Sequence, residues 1–451
     1  GTTSWSVSGI TLLSGSNTIT VKAYDAAGNW NLANLIVNYT AAPSTWTKTF
    51  GGALDDSGNS VQQTSDGGYI IAGSTNSSGA GGSDIYLLKL DASGNKVWEK
   101  TFGGSLDDWG SSVRQTSDGG YILVGGTKSF GAGSEDVYLV KTDANGNKVW
   151  DKTFGGINRD LGKSVKQTSD GGYIITGIFG FSASDHDVYL IKTDANGNKL
   201  WDRIFGVSSD DGGWSVQQTT DGGFIIVGGR DATYTFGATG TGNLLITGGD
   251  VYLIKTDTNG NKIWEKGFGS TGGDIGLSVQ QVSDGGYIIS GWKESSTTSF
   301  DVYLVKTDTS GNMVWGQTFG ETYSDYGDSV QQTSDGGYII SGMTGGSGTG
   351  GGDVYLIKTN SSGSKLWGKT FIGAFNERGL SVQQTSDGGY IVVGYTDSAG
   401  AGGSDVYVIK TDSSDTVQSP LQSPALSPAK SSAPATRQYM GLGVEPMPMS
   451  R

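Results

Sequence analysis

From about residue 45 to residue 411 the chain is a succession of short apolar runs separated by Gly, Asn, Asp and Ser. The stretch Asp136 to Gly155, DVYLVKTDANGNKVWDKTFG, shows the pattern. Val137 to Thr142 and Lys148 to Phe154 read as strands, and Ala144-Asn145-Gly146-Asn147 between them is a strong hairpin signal. The same text recurs along the chain, and its tryptophan falls at Trp46, Trp98, Trp150, Trp201, Trp264, Trp315 and Trp367. The intervals are 52, 52, 51, 63, 51 and 52 residues. A fixed period of this length predicts a repeat architecture.

Each unit divides into four strands. Strand A is the SVQQT run, as at Ser112-Val113, and strand B the YII run, as at Tyr121. Strand C is DVYLIKT, from Asp84, Asp136, Asp187, Asp250, Asp301, Asp353 and Asp405, and strand D carries the tryptophan. Four antiparallel strands in each unit of about 50 residues predict a blade of a β-propeller. The chain opens on a D strand, Thr45 to Phe50, and ends on a C strand, Asp405 to Thr411. Pairing the two closes a ring and removes both free edges. The expected fold is therefore all-β: a seven-bladed β-propeller of four-stranded antiparallel blades, its N-terminal strand completing the last blade.

The flanks differ. Residues 1–42 read as three alternating strands with turns at Ser14-Gly15-Ser16 and Ala27-Gly28-Asn29. The phrase NTITVKAYDAAGN there resembles a bacterial immunoglobulin-like domain, so this segment is expected to be part of a β-sandwich. Residues 413–451 hold six of the seven prolines and no strand period, as a disordered linker or tail would. The propeller is expected over 43–412.

The repeat text, with its Gly-rich turns, D-x-x-G-N-x-x-W and G-G pairs, resembles the bacterial seven-bladed propeller repeats of the SBBP type. DANGNKVW also resembles the tryptophan-docking repeat of quinoprotein-type propellers. The resemblance covers residues 46–412 and speaks for fold, since such scaffolds carry many roles.

Composition narrows the function classes. A net charge of −14 without Lys/Arg-rich runs speaks against nucleic acid. No apolar window is long enough to span a membrane as a helix. The chain has no cysteine, so disulfides and Cys-ligated zinc are excluded.

Candidate chemistry follows the topology. The A–B turns (SDGG) and C–D turns (DANGN) share one face and barely vary, whereas the D–A and B–C loops on the other face vary in length and chemistry. The fourth B–C loop, Arg230 to Gly249, is about eleven residues longer than its counterparts and accounts for the 63-residue interval. The varied face is the expected binding face. Its ligand-binding candidates are Trp109, Trp214, Trp292, Tyr326, Arg378, Phe181, Tyr234 and Tyr395, with Phe130, Phe179, Phe236 and Lys293 beside them. Exposed Trp and Tyr suit sugar rings or protein partners; the alternative is that they tuck between blades.

An acidic residue precedes or opens each strand A: Asp56, Asp108, Asp160, Asp211, Asp274, Asp325 and Glu377. With strand A innermost, these form an axial acidic ring. It is read either as carboxylates accepting backbone N–H bonds or as the site of a bound cation. Asp143, Asn145 and Asn147 have the spacing of a calcium loop, but the later ligands are missing and a structural turn is expected. Asp136 and Lys141, at the two ends of one strand C, lie on opposite faces and are expected to meet groups of adjacent blades. The seven repeat tryptophans are expected between blades.

Catalytic residues are not assigned. The one histidine, His186, stands beside Asp185 and Asp187 with no partner serine marked. No cofactor is expected. The functional expectation is a bacterial, secreted or cell-surface binding module for a glycan or a surface protein, a monomeric propeller within a larger multidomain chain. A carbohydrate-active enzyme, either a polysaccharide lyase or a glycoside hydrolase, is the alternative, and an architectural spacer the third reading.

Overall fold

The structure, a computed structural model, describes residues 15–24, 29–39, 45–182, 185–206, 210–236, 244–269, 272–296, 299–320, 322–345 and 351–413. It contains seven four-stranded antiparallel sheets and a separate two-stranded hairpin. Blade 1 comprises Asp56–Gln63 (A), Tyr69–Thr75 (B), Asp84–Leu90 (C) and Lys96–Phe102 (D). Blades 2 to 6 repeat this order, with first strands Asp108–Gln115, Leu161–Gln167, Asp210–Gln218, Asp274–Gln281 and Asp325–Gln332. Blade 7 takes Glu377–Gln384, Tyr390–Thr396 and Asp405–Thr411 from the end of the chain and Trp46–Phe50 from its beginning. Trp46 pairs with Lys410 and Phe50 with Val406, as the phase of the repeat predicted.

The A strands lie against one another all the way round, so they are innermost. Each carries a bulge before its SVQ run, as between Gly58 and Ser60. The bulge re-aims the residue it adds, Asn59 in blade 1; Asn59 Nδ2 donates to Gly110 O of blade 2 at 2.8 Å.

Three hydrogen-bond systems join the blades. Each strand-A serine accepts the valine N–H of the next blade at 3.2–3.4 Å, as Ser60 Oγ does from Val113, in all seven junctions. The Oε1 of each final strand-A glutamine accepts an A–B-turn N–H of the preceding blade at 2.8–2.9 Å, again seven times. A third system, formed by the other glutamine, exists at five junctions only.

Apolar packing runs between the sheets. Ile70, Ala72, Ile85 and Leu87 of blade 1 meet Val113, Tyr121, Leu123, Tyr138 and Val140 of blade 2 in one buried cluster. The repeat tryptophans pack blade on blade as expected. Trp98 of blade 1 sits 5.9 Å from Tyr121, and its ring occupies the space beside Gly146 in the C–D turn of blade 2. Gly146 has φ +77°, and a Cβ there would lie 2.7 Å from Trp98 Cζ3, so the turn needs glycine twice over.

Three expectations are corrected. Lys141 does not reach an adjacent blade: its buried ammonium pairs with Asp118 of its own A–B turn at 2.9 Å and bonds Thr142 O at 2.8 Å. The same pairing recurs in all seven blades. The long fourth connection is mostly strand: Phe224–Phe236 pairs with Leu244–Thr256 in a two-stranded ribbon, whose tip lies outside the described residues. At the N-terminus Gly15–Tyr24 pairs with Trp30–Tyr39, so Gly15 and Ser16 are in a strand and not a turn. The expected first strand, residues 27 and 28 of the second turn, and the tail from residue 414 lie outside the described residues.

Candidate functional site

The two faces differ in construction. On the A–B and C–D face every turn satisfies itself. Asp143 Oδ1 accepts the N–H groups of Asn145 at 2.9 Å and Asn147 at 2.8 Å, and its Oδ2 accepts Asn147 Nδ2 at 3.0 Å. Those bonds from Asn147 and Asn145 hold the exposed Asp143 carboxyl below its ordinary range. Both oxygens serve the turn, as the structural reading of DANGN requires.

The D–A and B–C face is built otherwise. Where the inner strands begin, the channel narrows onto a buried apolar cluster of Trp109, Leu161, Ile178, Ala232, Ile275, Trp292 and Tyr326. Trp109 is 5% exposed and Trp292 4%, so these two are not exposed platforms. The reason lies in topology: Trp109 and Tyr326 belong to innermost strands, and Trp292 pairs across from Ile275, where seven strands converge. Trp214 is half-buried, and Lys163 Nζ stands 5.0 Å from its ring centroid. Arg378 makes a bidentate pair with Asp328 of blade 6 at 2.6 and 2.8 Å and stacks on Tyr326 at 5.1 Å. Tyr395 is half-buried beside Arg378. Among the described candidate rings Phe181, at 49%, and Phe130, at 41%, are openly exposed. The side chain of Tyr234 lies outside the described residues.

The acidic residues are buried at the start of strand A and take up local donors. Asp56 Oδ2 accepts from Gly52 N and Ser77 Oγ, Asp108 Oδ2 from Gly104 N and Ser129 Oγ, and Asp160 from the N–H groups of Gly156 and Gly180. Asp211 accepts from Asp231 N, Asp274 from Glu294 N and Lys293 Nζ, and Glu377 from Thr396 Oγ1. Asp325 is buried in the equivalent place. Each also faces the opening aspartate of strand C in the preceding blade. Asp84 and Asp108, for example, both crowd Gly103 where a Cβ would sit. Burial pushes Asp160 up to about 6, with Asp136 adding to the rise, and burial with Asp211, Asp185 and Asp210 does the same to Asp187. Among the described residues no three His, Cys, Asp or Glu side chains gather as a metal-ligand set.

His186 is 1% exposed, and its Nδ1 lies 2.8 Å from Asp210 Oδ1, joining blade 3 to blade 4. It lines neither of the two cavities described here. One, of about 540 Å³, opens at the A–B face around Gln217, Gln218, Gln281 and Gln332. The other, of about 330 Å³, lies on the varied face around Asp231, Asp250 and Glu294.

The varied face also exposes residues that were not anticipated. Leu54, Leu106, Ile157, Tyr323 and Phe375 stand two or three residues before the acidic position in five D–A loops, and all are more than half exposed, Ile157 reaching 81%. Phe130 and Phe181 add two rings from B–C loops. The signal was present: each is a large apolar residue in text otherwise made of Gly, Ser, Asn and Asp.

No protein-family model matches the chain. Over 301 residues it is 26% identical to the regulatory protein FlaEY of Caulobacter vibrioides, a match that covers 58% of this chain and 30% of that protein's length. Among solved structures it is similar to Sqt1 from Chaetomium thermophilum (14% identity, 78% of this chain and 83% of that one, TM-score 0.43). The WD40 domain of Neurospora crassa Pan2 is another (9% identity, 80% and 90%, TM-score 0.44), and a puromycin hydrolase a third (14% identity, 79% and 52%, TM-score 0.44).

Proposed function

We propose that the chain is a non-catalytic binding module, secreted or displayed at the cell surface, and that its partner is a protein docking on the D–A and B–C face. The observation that carries this reading is the rim of Leu54, Leu106, Ile157, Tyr323 and Phe375, set at corresponding places in five loops and left in water. Scattered exposed apolar residues need no explanation, but a set gathered on one face is the composition of a contact surface. The main-chain N–H groups of Leu54, Leu106 and Phe375 donate to Ser77, Ser129 and Ser398 Oγ of the B–C loops, which ties these loops down and lowers the ordering cost of association. A glycan is the second reading, supported by the exposed rings of Tyr323, Phe375 and Phe181.

The test compares binding of labelled protein to intact bacterial cells and to a glycan array. Leu106→Ser/Ile157→Ser/Phe375→Ser is set against Val149→Ser/Leu200→Ser, two equally exposed residues of outer strands. Loss of binding in the rim variant alone supports the reading. Equal binding by both variants, or none by the native chain, overturns it.

A further inference from the structure

The repeat breaks its own symmetry at one place in the channel. In five blades the first glutamine after the strand-A valine, such as Gln62, turns its Oε1 to the main-chain N–H of the next blade's strand A at 2.6–2.7 Å. In blades 2 and 3 that residue is Arg114 and Lys166. Neither side chain has an acceptor, so the N–H groups of Gln167 and Gln218 lose the carboxamide that five other junctions supply. A donor left without a partner destabilises the fold.

The two cations are neighbours. Burial lowers the Lys166 ammonium well below its ordinary range, and the charge of Arg114 lowers it further; burial brings Arg114 down to about 10. Arg114 Nη1 bonds Ser60 Oγ at 3.2 Å and Val113 O at 2.5 Å, both neutral acceptors. No carboxylate among the described residues pairs with Arg114 or Lys166. In a chain of net charge −14, two adjacent cations without a counter-charge stand out. They stand near the A–B ends of their innermost strands; the open cavity of about 540 Å³ at that end is lined by Gln218 and by residues of blades 4 to 6, and by neither cation.

We infer that the channel holds an oxyanion of the phosphate class at the junction of blades 2 and 3, bound by Arg114, Lys166 and the N–H of Gln167. Arg offers a planar fork, Lys a point charge and the backbone a fixed donor, the combination that takes up phosphoryl oxygens. The site lies on the face opposite the proposed docking rim and stands whether or not that rim binds a partner.

The decisive variant is Arg114→Gln/Lys166→Gln, which installs the residue that five blades already carry and so restores the repeat's own hydrogen bonds. Lys166→Gln alone is the milder version. Binding is read by calorimetry with inorganic phosphate, sulfate and glycerol phosphate, against chloride at matched ionic strength. The native chain is expected to bind phosphate and sulfate and to melt higher in their presence. The double variant is expected to bind at least about tenfold more weakly, yet to melt higher than the native chain in chloride. Tighter binding of glycerol phosphate assigns the anion to a phosphorylated ligand, and equal binding to the free ion. No heat beyond the chloride control, or equal affinity in the double variant, overturns the inference.

Discussion

Ser381, in the last blade, accepts the main-chain N–H of Val61, in the first, at 3.3 Å. The bond is of the same kind as the six between consecutive blades. The closing junction is therefore built like the others, although its partners lie 320 residues apart. The closing junction also keeps the glutamine bond, from Gln63 N to Gln383 Oε1, so its inner strands are no weaker than the rest; its seam lies in the outer strand, where Trp46–Phe50 must be held by Asp405–Thr411.

The first prediction concerns that seam. Trp46 meets Tyr69 edge to face at 5.9 Å and fills the space beside Gly94, tying blade 7 to blade 1. Trp46→Ala should lower unfolding stability by about 3 kcal/mol, the usual loss for a large aromatic in a core. A chain beginning at Gly51 should lose more, because strand C of blade 7 is left with an open edge. Urea denaturation followed by tryptophan fluorescence measures the first, and size-exclusion chromatography detects the association expected of the second.

How far the sequence could be read is clear from these residues. The period and the phase of the tryptophans were enough for seven blades and for the pairing of the first strand with the last. Strand parity placed Asp136 and Lys141 on opposite faces, but it carries no information on which turn curls back over an ammonium. The pairing with Asp118 was therefore missed. The burial of Trp109 and Tyr326, left open as the alternative to exposed platforms, has a related reason: both look like loop residues, yet they belong to innermost strands that converge on one apolar cluster. Reading the varied face through its aromatics also drew attention away from Leu54, Leu106 and Ile157.

The Lys–Asp pairs supply a second prediction. Lys141 is buried while Asp118 is exposed, so the ammonium depends on a carboxylate at the surface. Asp118→Ala leaves the ammonium with Thr142 O alone among its two acceptors and should cost about 2 kcal/mol. Lys141→Met removes the buried charge together with its need for a partner and should cost less. The comparison of the two in one denaturant series checks the sign.

The carboxylate pairs predict a stability maximum in mild acid. Asp160 and Asp187 are pushed up to about 6 from an ordinary 3.8, burial being the main cause. A raised carboxyl favours the folded state fully below the unfolded value, and this contribution is lost as pH rises through about 6. Asp118 and Asp170 go the other way. Against burial, bonds from Thr116 and Lys141 to Asp118, and from Lys192 and Thr168 to Asp170, hold them down to about 2. Their contribution is present above about 4 and is lost as pH falls toward 2. Melting temperature should therefore peak near pH 4 and decline from there to about pH 6. Asp187→Asn should flatten that decline; an unchanged slope contradicts this assignment.

Gly103 gives a fourth prediction. A methyl group there would collide with both Asp84 Oδ1 and Asp108 Oδ2. Gly103→Ala should destabilise by about 2 kcal/mol through the forced shift of two buried carboxylates. Gly156→Ala, at a position with open space around it, should be close to neutral. Paired thermal melts distinguish the two.

The proposed docking surface is the varied face and not the uniform one. The most direct measurement is cell binding by Leu106→Ser/Ile157→Ser/Phe375→Ser beside Asn145→Ser/Asn196→Ser, which alters two exposed C–D turns on the opposite face. Both variants should melt close to the native chain. Binding should be lost in the first and kept in the second. Binding kept in the first, or lost in the second at unchanged stability, would place the contact surface on the wrong side of the ring.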